Sequence, residues 1–194
     1  LNQFTKKYKL KFFFDIGAYI GFYSLYYSNF IQIPNVISFE ANKYNYEKLI
    51  KNIELNNASI ISYNLGCSNI KGNGEIWYND INKMGGSSIF NEDDSEIHKY
   101  KKKKISFEKI SLDTIDNLYD HLVDKLILIK IDVERHESKV LEGSVNFLKN
   151  NKILMQIEIQ NEKKNEVFLN LKNNGYNHLH SIDDDHYFSN FIKT

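Results

Sequence analysis

Residues 12–25 read FFFDIGAYIGFYSL. The apolar run Leu10–Ile16 is typical of a strand that is buried on both faces, and Phe22–Ser28 follows with helical spacing. Gly17 and Gly21 lie between them, where a tight turn needs residues without a side chain. This strand, turn and helix predict the first unit of an α/β fold.

The rest of the chain repeats this alternation of apolar runs and helical segments. Strands are predicted at Val36–Glu40, Ser59–Leu65, Gly74–Asn79, Ile105–Ile110, Leu126–Val133, Ile153–Ile159, Tyr176–Ile182 and His186–Phe191. Helices are predicted at Asn45–Asn56, Ser138–Asn150 and Glu162–Asn174. The pattern predicts a Rossmann-like, doubly wound and mostly parallel sheet with a C-terminal antiparallel hairpin. Ligands of such sheets bind at the carboxyl ends of the strands, where the strand order reverses.

Length and charge limit the possible functions. The 194 residues suit a single domain over residues 1–194, and 25 basic residues balance 25 acidic ones. With Arg135 as the only arginine, specific binding to nucleic acid is not expected. Cys67 is the only cysteine, which suits a reducing compartment, so we expect a cytoplasmic protein. No apolar run approaches the ~20 residues that a membrane-spanning helix needs. The sequence does not indicate an oligomeric state.

Two acidic residues indicate the kind of ligand. Asp15 stands where a dinucleotide-binding loop has its first glycine, and its carboxylate would repel a pyrophosphate but attract an amine. The N-terminus of the following helix can bind a carboxylate, which together suits an amino-acid-like group. Glu40 closes the second strand, where an acidic side chain can accept both hydroxyls of a ribose. The combination predicts S-adenosylmethionine.

The chain resembles class I methyltransferases of the FkbM type over almost its whole length. The segments that carry the resemblance are FFFDIGAYIGFYSL (12–25), VISFEANKYNYEKLIKNI (36–53), GGSSI (85–89), SLDTID (111–116), LILIKIDVERHESKVLEGS (126–144) and ILMQIEIQ (153–160). The resemblance implies the class I methyltransferase fold and methyl transfer from S-adenosylmethionine, commonly to a hydroxyl of a sugar or natural product. Arg135 replaces the usual glycine of its motif, and Gln160 stands where His or Asn is common.

The strand ends and the resemblance together predict the residues that bind the cofactor. Asn64 and Leu65 end the third strand, where the adenine edge is often contacted by an amide and by backbone. The predicted cofactor-binding residues are Asp15, Gly17, Ala18, Tyr19, Gly21, Ser24, Glu40, Ala41, Asn42, Asn64, Leu65 and Asp132.

The catalytic residues are predicted in IDVERHE, residues 131–137. Asp132 and Glu134 point the same way if the strand continues, so that one can hold the cofactor's amine and the other face the acceptor. His136 is the predicted general base because an ordinary imidazole pKa of ~6.5 lies near neutral pH. Asp132 is the second candidate base, and the alternative for His136 is that it caps the next helix.

A second resemblance bears on metal. Catechol-type O-methyltransferases hold magnesium near this strand end, and Asp132, Glu158, Gln160 and Asn161 could supply oxygen ligands here. Arg135 stands where that scheme has a lysine base, and it cannot act as a base. We therefore favour a site without metal.

The sequence thus predicts an O-methyltransferase that acts on a hydroxyl of a small molecule or glycan precursor. One alternative is a methyltransferase for a ribose 2′-hydroxyl or another macromolecular target. Methylation of base amines is disfavoured, because Pro34 is the only proline and the Pro-Pro motif of those enzymes cannot occur. The other alternative is a cofactor-binding scaffold without turnover, which the exchange at Arg135 motivates.

Overall fold

The computed structural model describes residues 8–77, 88–91, 107–160 and 164–193. Its strands are β1 (Phe12–Ile16), β2 (Asn35–Phe39), β3 (Ile60–Tyr63), β4 (Gly66–Cys67), β5 (Gly72–Trp77), β6 (Ser88–Asn91), β7 (Phe107–Asp113), β8 (Leu126–Ile131), β9 (Lys152–Glu158), β10 (Asn177–Ile182) and β11 (Asp185–Ser189). Its helices are α1 (Phe22–Leu25, continued by a π-helical turn over Tyr26–Phe30), α2 (Lys43–Leu55), α3 (Ile115–Tyr119), α4 (Glu137–Glu142), α5 (Val145–Asn150) and α6 (Lys164–Asn173).

The main sheet has the order β10-β11-β9-β8-β1-β2-β3. The strands β3, β2, β1, β8 and β9 are parallel neighbours, whereas β11 runs antiparallel to both β9 and β10. The predicted doubly wound sheet with its C-terminal hairpin is therefore confirmed. The strand order reverses between β1 and β8, which fixes the edge at which a ligand is expected.

Alternation of side chains along β1 builds a core on each face of this sheet. Phe13 packs with Val36 and Leu128 on one face, and Phe14 lies in the cluster on the other face. Both phenylalanine side chains are fully buried. Burying one large apolar side chain stabilises a fold by about 1.5–3 kcal/mol, so the run FFF fixes the central strand in the sheet.

A second sheet, with the order β4-β7-β5-β6, lies beside the end of β2. The predicted antiparallel pair is present as β5 and β7, with Gly74 opposite Ile110. Ala41, just after β2, packs with Ile76 of β5 and Ile89 of β6 in a small apolar cluster. The second sheet thus supplies an apolar wall at the carboxyl end of β2.

The predicted helix over Ser138–Asn150 is wrong in one respect, because it is divided into α4 and α5. A side chain at Gly143 would overlap the carbonyl oxygen of Ser68, so the chain approaches β4 closely at this point. The Ser144 hydroxyl donates to the Val140 carbonyl, which satisfies an acceptor at the end of α4. Among the described residues, no helix combines the length and apolar character needed to cross a membrane.

Candidate active site

A cavity of about 230 Å³ opens at the carboxyl ends of β1, β2 and β8. One wall is apolar, and carboxylates lie at two separate places along the rest. The lining residues are Ile16, Gly17, Tyr19, Phe39, Glu40, Ala41, Asn45, Leu65, Gly66, Cys67, Ile76, Ile89, Asp132, Val133 and Glu134. Of the predicted site residues, the cavity brings together Gly17, Tyr19, Glu40, Ala41, Leu65 and Asp132.

Glu40 is the most firmly held polar group of the lining. Its Oε2 accepts the backbone N–H of Tyr19 at 2.8 Å, and its Oε1 accepts that of Asn42 at 2.9 Å. The residue is only 7% exposed. Burial raises the pKa of Glu40 to about 7 in spite of these hydrogen bonds, which act in the opposite direction. The side chain of Asn45 also hydrogen-bonds to Glu40, and a carboxylate has room for about four hydrogen bonds, so it can still accept a donor from a ligand.

The glycines of the first loop serve packing within the protein. Gly17 has a φ of 83°, and a side chain there would overlap the carbonyl oxygen of Asp132. Gly21 has a φ of 89°, and its missing side chain makes room for Leu49 of α2. The glycines therefore let β8 and α2 close on the loop, which shapes the cavity from behind.

The loop after β1 is also tied to β2 by its backbone. The N–H groups of Gly17 and Ala18 both donate to the carbonyl of Phe39, at 3.0 and 2.9 Å. Tyr19 follows with a φ of 52°, a left-handed conformation, and its N–H donates to Glu40. Ala18 is buried and supports the lining without belonging to it, whereas Tyr19 is a lining residue.

Asp15 and Ser24 lie outside the cavity lining. The Ser24 hydroxyl donates to Asp15 Oδ2 at 2.5 Å and lies 2.7 Å from the hydroxyl of Ser38. Burial raises the pKa of Asp15, although the positive charge of Lys130 acts against this. The structure gives these two residues contacts inside the protein, and their predicted contact with a cofactor stays a prediction.

Two asparagines predicted to bind the cofactor hold Glu40 and its neighbours instead of lining the cavity. The side chain of Asn42 caps α2 by accepting the N–H of Asn45 at 2.9 Å. Asn64 donates through Nδ2 to the carbonyls of Glu40 at 2.9 Å and Ala41 at 3.1 Å. Both residues help to fix the backbone of Glu40, which directly follows β2.

Asp132 lies across the cavity from Glu40, at the end of β8. Its Oδ2 accepts Nζ of Lys130 at 2.8 Å, and its side chain is 32% exposed. Burial alone would lower the pKa of Lys130, but the charges of Asp15 and Asp132 raise it, so this buried lysine remains a cation. Lys130 thereby fixes one oxygen of Asp132 and leaves the carboxylate facing the cavity.

The next three residues form an unusual turn. Glu134 and Arg135 have φ values of 51° and 80°, which are left-handed conformations that cost non-glycine residues about 1–3 kcal/mol each. A positive φ is the conformation that glycine adopts most readily, which agrees with the glycine that the resemblance implies at position 135. The N–H of Arg135 donates to Glu137 Oε1 at 2.9 Å, which helps to hold the turn. As a result, Glu134 lines the cavity beside Asp132.

His136 is enclosed, and the expectation that it faces an acceptor is not supported. Its side chain is not part of the cavity lining, it is 5% exposed, and Nε2 lies 3.0 Å from the Ser68 hydroxyl. The residue precedes α4 as its N-cap, but its side chain makes no capping hydrogen bond. The contact joins α4 to the segment after β4, so the structure gives His136 a packing environment.

The residues that could supply oxygen ligands to a metal ion are only partly covered by the described residues. No group of three or more His, Cys, Asp or Glu side chains suitable for a metal ion occurs among these residues. Asn161 lies outside the described residues. Gln160 donates to Glu134 Oε2 at 3.2 Å and accepts Nε of Arg135 at 2.7 Å, so its amide already has two partners.

The lining fits S-adenosylmethionine in its chemistry. Glu40 offers a fixed carboxylate for ribose hydroxyls, and Asp132 offers one for an amine. The apolar wall of Leu65, Ile76 and Ile89 suits the faces of an adenine. Sequence reasoning missed Ile76 and Ile89 because they arrive from the second sheet, and no local pattern links them to β2.

The family comparison gives one match that spans most of the chain. The model described as "Methyltransferase FkbM domain" matches residues 15–178. No curated protein sequence matches the chain.

Solved structures with a similar fold include three methyltransferase-like proteins. Methyltransferase FkbM from Methylobacillus flagellatus KT has a TM-score of 0.57 and 14% identity, over 93% of this chain and 43% of that one. The precorrin-6y C5,15-methyltransferase from Geobacter metallireducens GS-15 has a TM-score of 0.51 and 12% identity, over 97% and 84%. Sp1610 from Streptococcus pneumoniae, in complex with S-adenosyl-L-methionine, has a TM-score of 0.50 and 12% identity, over 96% and 69%. At these identities the likeness shows the fold alone. The chain spans less than half of the Methylobacillus protein.

Proposed function

The chain belongs to the family of FkbM methyltransferase domains, and we propose from this premise that it transfers a methyl group to a hydroxyl. The predicted family and the predicted fold are both confirmed. S-Adenosylmethionine, the predicted cofactor, is also confirmed, and it supplies an activated methyl group on a sulfonium sulfur. The proposal concerns what this chain's residues do around that cofactor and which acceptor they take.

Glu40 carries the cofactor part of the proposal. Its carboxylate is fixed by two backbone N–H groups, so it meets a ribose without having to be ordered first. Asp132, held by Lys130, is placed to receive the amine of the methionine group. These two anchors at opposite sides of the cavity would fix the cofactor's ends and so the position of its reactive group.

The acceptor is proposed to be a hydroxyl of a sugar, a glycan precursor or a natural product. Asp132 and Glu134 line one part of the cavity. Burial raises the pKa of Glu158 at the end of β9, and the nearby charges of Asp132 and Glu134 raise it further. A wall of carboxylates repels phosphates, which supports a neutral small acceptor over a ribose inside a nucleic acid. Carboxylates can also accept hydrogen bonds from several sugar hydroxyls.

The domain and its location are part of the same proposal. We propose that residues 1–194 belong to one methyltransferase domain and that the protein is cytoplasmic. One main sheet with its core on two faces supports the single domain, and the low cysteine content, with Cys67 alone in the sequence, supports the location.

The test is transfer of label from S-[methyl-¹⁴C]adenosylmethionine to defined acceptors. We expect label in a methyl ether of neutral glycosides or of hydroxylated natural products, and none in tRNA or protein. Label in tRNA alone would favour the ribose alternative. Tight binding of S-adenosylhomocysteine without transfer to any acceptor would favour the scaffold alternative.

A further inference from the structure

The loop after β8 places one carboxylate that the sequence did not single out as a base. Glu134 lines the cavity next to Asp132, whereas His136, two residues further, is enclosed against Ser68. Asp132 already has one oxygen engaged by the Lys130 ammonium. Of these three residues, Glu134 is therefore the one whose carboxylate lines the cavity and is not paired with Lys130.

A short arm from β9 holds Glu134 in place. Gln160 donates through Nε2 to Glu134 Oε2 at 3.2 Å, and its Oε1 accepts Nε of Arg135 at 2.7 Å. Because an amide has one donor end and one acceptor end, the two contacts fix the orientation of the Gln160 side chain. The left-handed pair Glu134–Arg135 makes this contact possible, since it turns the chain back toward β9.

We propose that Glu134 is the general base for the acceptor hydroxyl and that Gln160, oriented by Arg135, is its positioning residue. This rests on the proposed methyl transfer. The step forms a bond between the acceptor oxygen and the methyl carbon, and it breaks the bond from that carbon to sulfur, whose electron pair stays on sulfur. The hydroxyl proton passes to the Glu134 carboxylate and from there to solvent. A positioned base of this kind typically contributes 10²–10⁴-fold in rate.

The surroundings of Glu134 suit this role. Its charged neighbours are Asp132 and Arg135 on its own loop, Glu137 at the start of α4, and Glu158 on β9. Burial and the charge of Asp132 raise the pKa of Glu134, while Arg135 acts against them. A carboxyl whose pKa lies above its ordinary value is a stronger base once ionised.

The test uses the charge of the cofactor as a probe and needs no acceptor. With ¹³C-labelled glutamate, NMR titration gives the pKa of Glu134 in the complexes with S-adenosylmethionine and with S-adenosylhomocysteine. A cation within about 4–6 Å lowers a carboxyl pKa by about 1 unit or more, so we expect a value lower by about 1 in the sulfonium complex. The carboxyl resonance of the exposed Glu54 on α2 is the internal control and should be the same in the two complexes. The spectrum of Glu134→Gln assigns the resonance.

Gln160→Leu tests the arm separately. This substitution removes the contacts of Gln160 with Glu134 and Arg135 but leaves Glu134 itself. We expect the difference in the pKa of Glu134 between the two cofactor complexes to fall by half or more. If this pKa difference is the same in Gln160→Leu as in the wild type, Gln160 does not position Glu134. Wherever an acceptor turns over, Glu134→Gln should lose about 10²–10⁴-fold in kcat, with the affinity for S-adenosylhomocysteine within about twofold of the wild type.

The outcomes separate this inference from the function on which it rests. If both cofactors bind and the pKa of Glu134 is the same in the two complexes, Glu134 is not close to the reacting methyl group and the inference is wrong. The proposed function then stands with another base. If neither cofactor binds the folded chain, the proposed function fails and the inference fails with it.

Discussion

Replacing Glu40 by alanine should separate cofactor binding from folding. The variant loses a charged acceptor for the ribose hydroxyls, and hydrogen bonds to a charged group contribute about 1.5–3 kcal/mol. We expect the affinity for S-adenosylhomocysteine to fall by about 2–3 kcal/mol, which is about 30- to 150-fold. Isothermal titration calorimetry at pH 8 measures this directly.

The effect of the same change on stability has two opposing parts. The N–H groups of Tyr19 and Asn42 lose their acceptor, at a cost of about 1–3 kcal/mol for each buried donor left without a partner. Against this, the carboxyl whose pKa is raised to about 7 costs the fold about 3 kcal/mol when it is ionised above pH 7, and the variant removes that cost. The unfolding free energy at pH 8 should therefore change by only a few kcal/mol.

Glu47→Ala is the matched control. Glu47 is exposed on α2, and its substitution removes the same kind of side chain close to the site. Its affinity should equal that of the wild type. A folded Glu40→Ala protein whose affinity for S-adenosylhomocysteine is unchanged would refute the assignment of Glu40 to the ribose.

Three further predictions follow from the site. The affinity for S-adenosylhomocysteine should be about tenfold weaker at pH 6 than at pH 8, because protonation of Glu40, with its pKa of about 7, removes an acceptor; calorimetry with Glu40→Ala should show no such dependence. His136→Ala should lower the unfolding free energy by about 1–3 kcal/mol in urea titrations and keep turnover within tenfold of the wild type. A loss of turnover of about 100-fold or more in a stable variant would show that His136 is catalytic. EDTA should leave turnover unchanged, whereas a sharp loss restored by magnesium would show that a metal ion takes part.

Local sequence patterns predicted much of the fold. The buried run FFF, the glycine turn and the acidic end of β2 each depend on neighbours in sequence, and the structure has β1, β2 and Glu40 where they were predicted. Alternation and helical spacing act over a few residues, so they can be recognised without knowing the partners.

Contacts between distant segments account for what was missed. The enclosure of His136 depends on Ser68, which lies 68 residues earlier, and the break in the predicted helix depends on the carbonyl of the same residue at Gly143. Gly17 lines the cavity, but the close approach that requires a glycine there is made by the Asp132 backbone, which lies far along the chain. The turn at Glu134 was missed because a left-handed pair of Glu and Arg runs against ordinary preference and is held by a contact from β9.

A crystal structure of the chain with S-adenosylhomocysteine tests the central claim most directly. The claim is that the cavity at the ends of β1, β2 and β8 holds the cofactor with its reactive end toward Asp132 and Glu134. We predict that both ribose hydroxyls lie within hydrogen-bond distance of the Glu40 carboxylate, that the amine contacts Asp132, and that the sulfur faces Glu134. A complex in which the ribose binds away from Glu40, or in which the cofactor lies outside this cavity, would contradict the account.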